Sequence, residues 1–311
     1  MSQASRTIIE SIVCQSSTIY ERKQFPFIPI TSNAESLIQS RLESWRKAIN
    51  EDGKSAELEK YFQWQGIDTQ TAARMVSPVQ LEKEAPLPAW TQVLEEVLGV
   101  IEDKEFWKKR APSLLAFAYH QDNPAKDGKP IYPLPFDALF TPFLEVIDRR
   151  LSTAVGYELL SLSAQQSILY VILKELAATG ADVLYNEFNN FREKQPFGAL
   201  IVLVAKAKQE IPNTTYQQFM HRMQQGGLIA LLKKYAVLAR LLCQLSFTWM
   251  NTQREFLLHL AEDLADIQQT FNDGKECGKV SELTLSLSDR HGGGYSVAAL
   301  SFESGLKLVY K

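Results

Sequence analysis

Two short clusters near the end of the chain hold residue types that could do chemistry. The first is Asp289-Arg290-His291-Gly292-Gly293-Gly294, and the second is Leu308-Val309-Tyr310-Lys311 at the last residue. Three consecutive glycines let a backbone come close to a phosphate, because no Cβ intrudes and positive φ is allowed. A lysine on a nearby strand can reach back under such a loop. Asp289 and His291 lie two residues apart, so in an extended chain their side chains share a face. A carboxylate beside an imidazole is an acid–base pair, since His titrates near neutrality and the carboxylate can orient it. The chemistry in view is phosphate binding coupled to proton transfer.

The elements that must position these groups follow from the flanking pattern. Leu283, Leu285 and Leu287 alternate with Thr284, Ser286 and Ser288, the period of a half-buried strand. The glycines end it, and Tyr295–Phe302 reads as a second strand. Ser304-Gly305 makes a tight turn. Leu306, Leu308 and Tyr310 then alternate with Lys307, Val309 and Lys311 in a third strand. This order resembles the start of a protein-kinase small lobe, where a Gly-rich loop covers the ATP phosphates and a strand-three lysine holds them.

Asp289-x-His291-x-Gly293-Gly294, followed by Ser-Val-x-x-Leu-x-Phe-x-x-Gly-Leu-Lys-Leu-Val-Tyr-Lys311, resembles the dehydratase domain of class II lanthipeptide synthetases, the LanM enzymes. Three upstream segments, Pro135–Leu151, Leu184–Arg192 and Lys234–Leu242, also look like that family. The resemblance implies phosphorylation of Ser and Thr in a ribosomal precursor peptide with ATP and Mg²⁺, then elimination of phosphate to dehydroamino acids. It implies that Asp289 and His291 serve the elimination, that Gly292, Gly293 and Gly294 cover phosphate, and that Lys311 holds ATP. In the family the lysine is followed by Pro-Arg and several hundred more residues. The sequence here stops on it, so the resemblance implies a truncated chain, inactive alone. The catalytic loop, the Mg²⁺-binding acid and the cyclase zinc domain would be missing from it.

Upstream of the meander the apolar period is helical, and the expected fold is mainly α: a large helical region feeding a short C-terminal antiparallel β-meander. Residues 1–31 hold little pattern, and Phe25–Ile30 reads as an extended surface segment. Ser32-x-x-Glu35 is a capping box for a helix carrying Leu37, Ile38, Leu42, Trp45 and Ile49. Further helices are expected over Ser55–Gly66, Asp68–Met75 and Trp90–Ile101, with Val76–Pro88 a connector, Phe106 and Trp107 packed back on Trp90–Ile101, and Leu114–Tyr119 a further apolar piece. Gln121–Pro135, with four prolines and a glycine, is the clearest loop and the best subdomain boundary. After it helices are expected over Phe136–Ala154, Ser163–Ala178, Gly180–Arg192, Phe197–Lys208, Thr214–Gln225, Leu228–Cys243 and Phe247–Phe271. The expected divisions are therefore residues 1–125, 135–279 and 280–311.

Composition bounds the alternatives. A net charge of −3 gives no basic field for nucleic acid. The most apolar run, Gly227–Trp249, carries Lys233, Lys234 and Arg240, so no membrane span is expected. Cys14, Cys243 and Cys277 are odd in number and far apart, which points to reduced thiols and a cytoplasmic location. No zinc pattern appears, and His259, near Glu255, Glu262 and Asp263, reads as an ion-pair partner. His291-Gly-Gly-Gly294 also resembles an esterase oxyanion motif, but the chain has no Gly-x-Ser-x-Gly elbow. Gly274-x-x-x-Gly278-Lys279 is one residue short of a Walker A motif and lacks its Ser/Thr. A non-catalytic reading stands beside the enzymatic one: the helices form a module that binds a peptide or a partner lobe.

Overall fold

The computed structural model describes residues 3–24, 27–30, 34–49, 56–119, 133–194, 213–291 and 293–311. The protein is mainly helical and ends in a three-stranded antiparallel sheet. It divides into two compact units. Unit 1 comprises Met1–Thr91 and Lys233–Arg240, and unit 2 comprises Gln92–Leu232 and Leu241–Lys311. Among the described residues no helix is long and apolar enough to cross a membrane.

Unit 1 contains α1 (Gln3–Ser16), α2 (Glu21–Gln24), α3 (Glu35–Ile49), α4 (Ala56–Trp64) and α5 (Thr69–Val76). Strand β1 (Phe27–Pro29) pairs antiparallel with β2 (Val79–Leu81). The α1 helix lies in the stretch that showed little pattern. Among the described residues its buried apolar side chains are Ile9, Ile12 and Val13, a stripe too short to declare a period. Helix α5 starts on Asp68, whose carboxylate accepts from Thr71 N at 2.6 Å. Its Ala72 and Met75 join Ile67 in a core patch on which Ile19, Leu42, Trp45 and Phe62 pack. Arg240 makes a two-pronged pair with Glu21, at 2.5 and 2.6 Å, and also donates to Ser16 O. The predicted capping residue Ser32 lies outside the described residues.

Unit 2 is built from α6 (Thr91–Glu102, of which Thr91 counts in unit 1), α7 (Ala111–Tyr119), α8 (Thr141–Leu151) and α9 (Leu162–Glu193), then α10 (Asn213–Arg222), α11 (Leu228–Lys234) and α12 (Ala236–Phe271), except that the end of α11 from Lys233 and the start of α12 through Arg240 count in unit 1. The buried face of α6 is Val93, Leu94, Val97, Leu98 and Ile101, and Trp107 closes back on it by donating Nε1–H to Ile101 O at 2.9 Å. The helix expected from Phe136 begins as a 3₁₀ turn over Asp137–Phe140 and ends at Leu151. Residues 121–132 of the proposed boundary loop, and the predicted helix Phe197–Lys208, lie outside the described residues.

Two predicted helix breaks do not occur. Residues Leu162–Glu193 form one helix through Gly180, where a Cβ would stand 2.7 Å from Phe140 Cζ. That glycine admits a neighbouring ring and interrupts nothing. Ala236–Phe271 likewise runs unbroken past Ser246, which is buried and returns its hydroxyl to Leu242 O at 2.9 Å. The interruptions are a kink at Gln225 and Gly226, where the glycine pair was expected to break the helix, and a single turn residue, Tyr235, inside the expected helix Leu228–Cys243.

The sheet runs β3 (Val280–Thr284), β4 (Ala298–Phe302), β5 (Lys307–Tyr310), each antiparallel to the next. The first strand is shorter than its leucine alternation predicted. Ser286 takes φ +58°, which ends the extended run and leaves Leu287 half exposed. The outer edge of β3 is closed by the start of α9: Ser161 N donates to Val280 O at 2.9 Å and Ser161 Oγ donates to Ser281 O at 3.1 Å. In β5 the predicted alternation holds, with Leu306, Leu308 and Tyr310 half-buried and Lys307, Val309 and Lys311 exposed.

Candidate functional site

The glycine loop and the end of β5 both rest on α12. Along that helix Thr248 meets Gly294, Glu255 meets Tyr295, and Phe256 and His259 meet Tyr310. These positions are spaced by three, four and seven, so they form one stripe of the helix. A single helix thus sets the relation between the loop and the strand that carries Lys311.

The loop itself closes on its own backbone. His291 N donates to Tyr295 O at 2.9 Å, while Gly294 N and Tyr295 N both donate to His291 O at 3.0 Å. The ascending arm is tied to the descending one by Leu287 N to Val297 O and by Val297 N to Ser288 Oγ, each 3.0 Å. Gly293 and Gly294 adopt φ +104° and +109°, a region closed to residues with a side chain except at a cost. At Gly294 a Cβ would also lie 2.5 Å from Thr248 Cγ2, whereas at Gly293 the nearest atom is 3.9 Å away. The two glycines therefore serve different ends. Gly294 lets the loop seat on α12, and its N–H is already spent. Gly293 is exposed and has room for a Cβ in ordinary contact with the Tyr295 ring. Gly292 lies outside the described residues.

Asp289 and His291 are both exposed, and Arg290 between them is half-buried. Arg290 turns inward to an ion pair with Glu175 of α9 at 3.4 Å, its guanidinium lying 5.4 Å from the Trp249 ring centre. Asp289 and His291 on either side of it are open to solvent. No hydrogen bond joins the Asp289 carboxylate to the His291 ring or either of them to Lys311 among the described residues. Arg290, Glu175, Trp249 and Thr248 were not singled out from sequence. The alternation held the signal: an arginine between two outward residues must point inward, and a guanidinium there needs a carboxylate or a ring.

Two tyrosines complete the surroundings. Tyr295 donates its hydroxyl to Glu255 at 2.5 Å, and that hydrogen bond pushes its pKa up. Tyr310 is raised by burial first, then by the Glu255 and Asp263 charges. His259 shares a 2.9 Å hydrogen bond with the Tyr310 hydroxyl, where an ion pair was expected. Phe256, His259, Leu260, Tyr310 and Leu308 line a cleft of about 110 Å³ between α12 and the sheet. That is below the ~300–1,000 Å³ typical of small-molecule sites, so the cleft has room for a side chain and not for a nucleotide. Among the described residues no group of three or more His, Cys, Asp or Glu gathers as a metal site.

Residues 235–311 match a family described as a domain of unknown function, DUF4135. The match takes in α12, the glycine loop and all three strands of the C-terminal sheet. No curated protein matches the chain.

Proposed function

We propose that the chain carries the N-terminal portion of a LanM-like dehydratase, which phosphorylates Ser and Thr of a ribosomal precursor peptide with ATP and then eliminates the phosphate. The match of residues 235–311 to DUF4135, a domain associated with lanthipeptide synthetases, supports this reading. The observation that carries it is the exposure of both Asp289 and His291 on either side of Arg290, which is anchored to Glu175. Such an arrangement offers an acid–base pair to a peptide in solution.

The elimination suits that pair. A base removes the α-proton, the Cα–H electrons form the Cα–Cβ double bond, and the Cβ–O bond breaks to release phosphate. One of the two groups takes the proton, and the other stabilises or protonates the leaving oxygen. For the phosphorylation half, ATP with Mg²⁺ supplies the phosphoryl group. On this chain Gly293, with its open side, and the exposed Lys311 ammonium are the groups that would meet its phosphates. In this reading the catalytic loop, the Mg²⁺-binding acid and the cyclase domain lie outside these 311 residues.

The two halves are separable by experiment. A synthetic phosphoserine peptide needs no ATP to lose phosphate, so elimination by the protein with its remaining dehydratase portion present can be followed by mass spectrometry alone. His291→Ala is expected to slow it by about 10²-fold or more, the usual worth of a general acid or base. Elimination at the unsubstituted rate in His291→Ala overturns the role given to that residue.

A further inference from the structure

Unit 1 holds a pocket with an unmatched charge. It measures about 320 Å³ and is lined by Ile19, Arg22, Arg41, Trp45 and Val76. Arg22 Nη1 donates to Met75 O at 2.9 Å and Ser77 O at 3.0 Å, and its Nε donates to Ser17 Oγ at 2.9 Å. Arg41 Nη1 donates to Val76 O at 2.6 Å. Those carbonyls sit at and just beyond the end of α5, where a helix leaves C=O groups without intrahelical partners. Both arginines therefore cap one helix end.

Capping accounts for part of each guanidinium and not for the charge. A helix C-terminus offers about half a negative charge, against two full positive ones. Among the described residues neither arginine has a carboxylate within ion-pair distance. Glu21, next to Arg22 in the chain, is engaged by Arg240. The guanidinium groups are close enough that the Arg41 charge lowers the pKa of Arg22, second only to burial. Arg22 Nη2, and Arg41 Nε and Nη2, have no protein acceptor among the described residues.

We propose that this pocket binds an acidic peptide segment, with a Glu or Asp carboxylate between Arg22 and Arg41 and a flanking apolar side chain against Trp45 and Ile19. One carboxylate has two oxygens for two forks, and its single charge answers most of the excess. Free phosphate would satisfy the arginines but leave the Trp45 and Ile19 wall uncovered. Leu37, one helical turn before Arg41 on α3, is 42% exposed and extends the apolar track beyond the pocket. The pocket lies outside the segment matched to DUF4135, so the proposal stands apart from the dehydratase reading.

Isothermal titration of the whole chain tests it with three probes: Ac-Ala-Leu-Glu-Leu-Ala-NH2, its Gln analogue and inorganic phosphate. The Glu peptide is expected to bind at least about tenfold more tightly than the other two, the worth of one charge-assisted hydrogen bond. Added salt should weaken it. Arg41→Gln should lose that tenfold, and Arg41→Lys should recover part of it. Arg22 carries more of the α5 cap, so Arg22→Gln is read beside circular dichroism, and the exposed Arg41 remains the deciding variant. Equal affinity for the Glu and Gln peptides, phosphate binding as tight as the Glu peptide, no peptide binding, or unchanged binding in Arg41→Gln each overturns the proposal. Phosphopeptide elimination, measured separately, reports on the glycine loop and not on this pocket.

Discussion

Alanine at Gly293 and at Gly294 separates backbone conformation from packing at the candidate site. Both residues lie near φ +105°, so each alanine incurs the same kind of backbone strain, about 1–3 kcal/mol. Gly→Ala also removes unfolded-chain entropy, a gain of about 0.4–1 kcal/mol that is common to both and cancels in the comparison. The difference is steric. The new methyl at Gly293 meets nothing closer than 3.9 Å, while the one at Gly294 falls 2.5 Å from Thr248 Cγ2, about 1 Å inside ordinary contact. Forcing a methyl into occupied space costs about 1–3 kcal/mol. Gly294→Ala should therefore be less stable than Gly293→Ala by about 1–3 kcal/mol in urea unfolding followed by far-UV circular dichroism. Thr248→Ala removes the obstructing methyl. In the double-mutant cycle it should return most of that difference to Gly294→Ala. Equal losses at the two glycines, or a Gly294→Ala loss that Thr248→Ala leaves untouched, would refute the seating of the loop on α12.

Gly180→Ala should destabilise by about 1–3 kcal/mol despite alanine's better helix propensity, because the methyl would lie 2.7 Å from the Phe140 ring; pairing it with Phe140→Leu should recover part of the loss in the same unfolding assay. At high pH the protein should lose stability through Tyr157, whose pKa burial pushes up to about 12 from 10.0. A raised folded-state pKa means its contribution is complete below the unfolded value and disappears as pH rises from about 10 to about 12. Tyr157→Phe should flatten that part of the pH–stability curve, read from melting temperatures across the range.

Much of the fold was legible because its signals are local. The α6 face (Val93, Leu94, Val97, Leu98 and Ile101) and the β5 alternation of Leu306, Leu308 and Tyr310 follow from periods of 3.6 and 2. The run of glycines was enough to place a turn after Asp289 and His291, both of which are exposed. The three-residue stripe of α1 was too short to read.

Tertiary structure decided what each of these groups does. Gly180 looks like a break in any window of sequence. Only the Phe140 ring, forty residues away, shows it to be a point of close approach inside a continuous helix. Arg290 has no local partner, and its meaning comes from Glu175 and Trp249 on two different helices. The consecutive glycines 293 and 294 are alike in sequence and unlike in use, because a Cβ beside one would collide with Thr248 and beside the other would only touch the Tyr295 ring. Local patterns record backbone preference and which side of an element is apolar. They carry no information on which distant atom occupies a given volume or neutralises a given charge, and those contacts separate a structural glycine or arginine from one left free for a ligand.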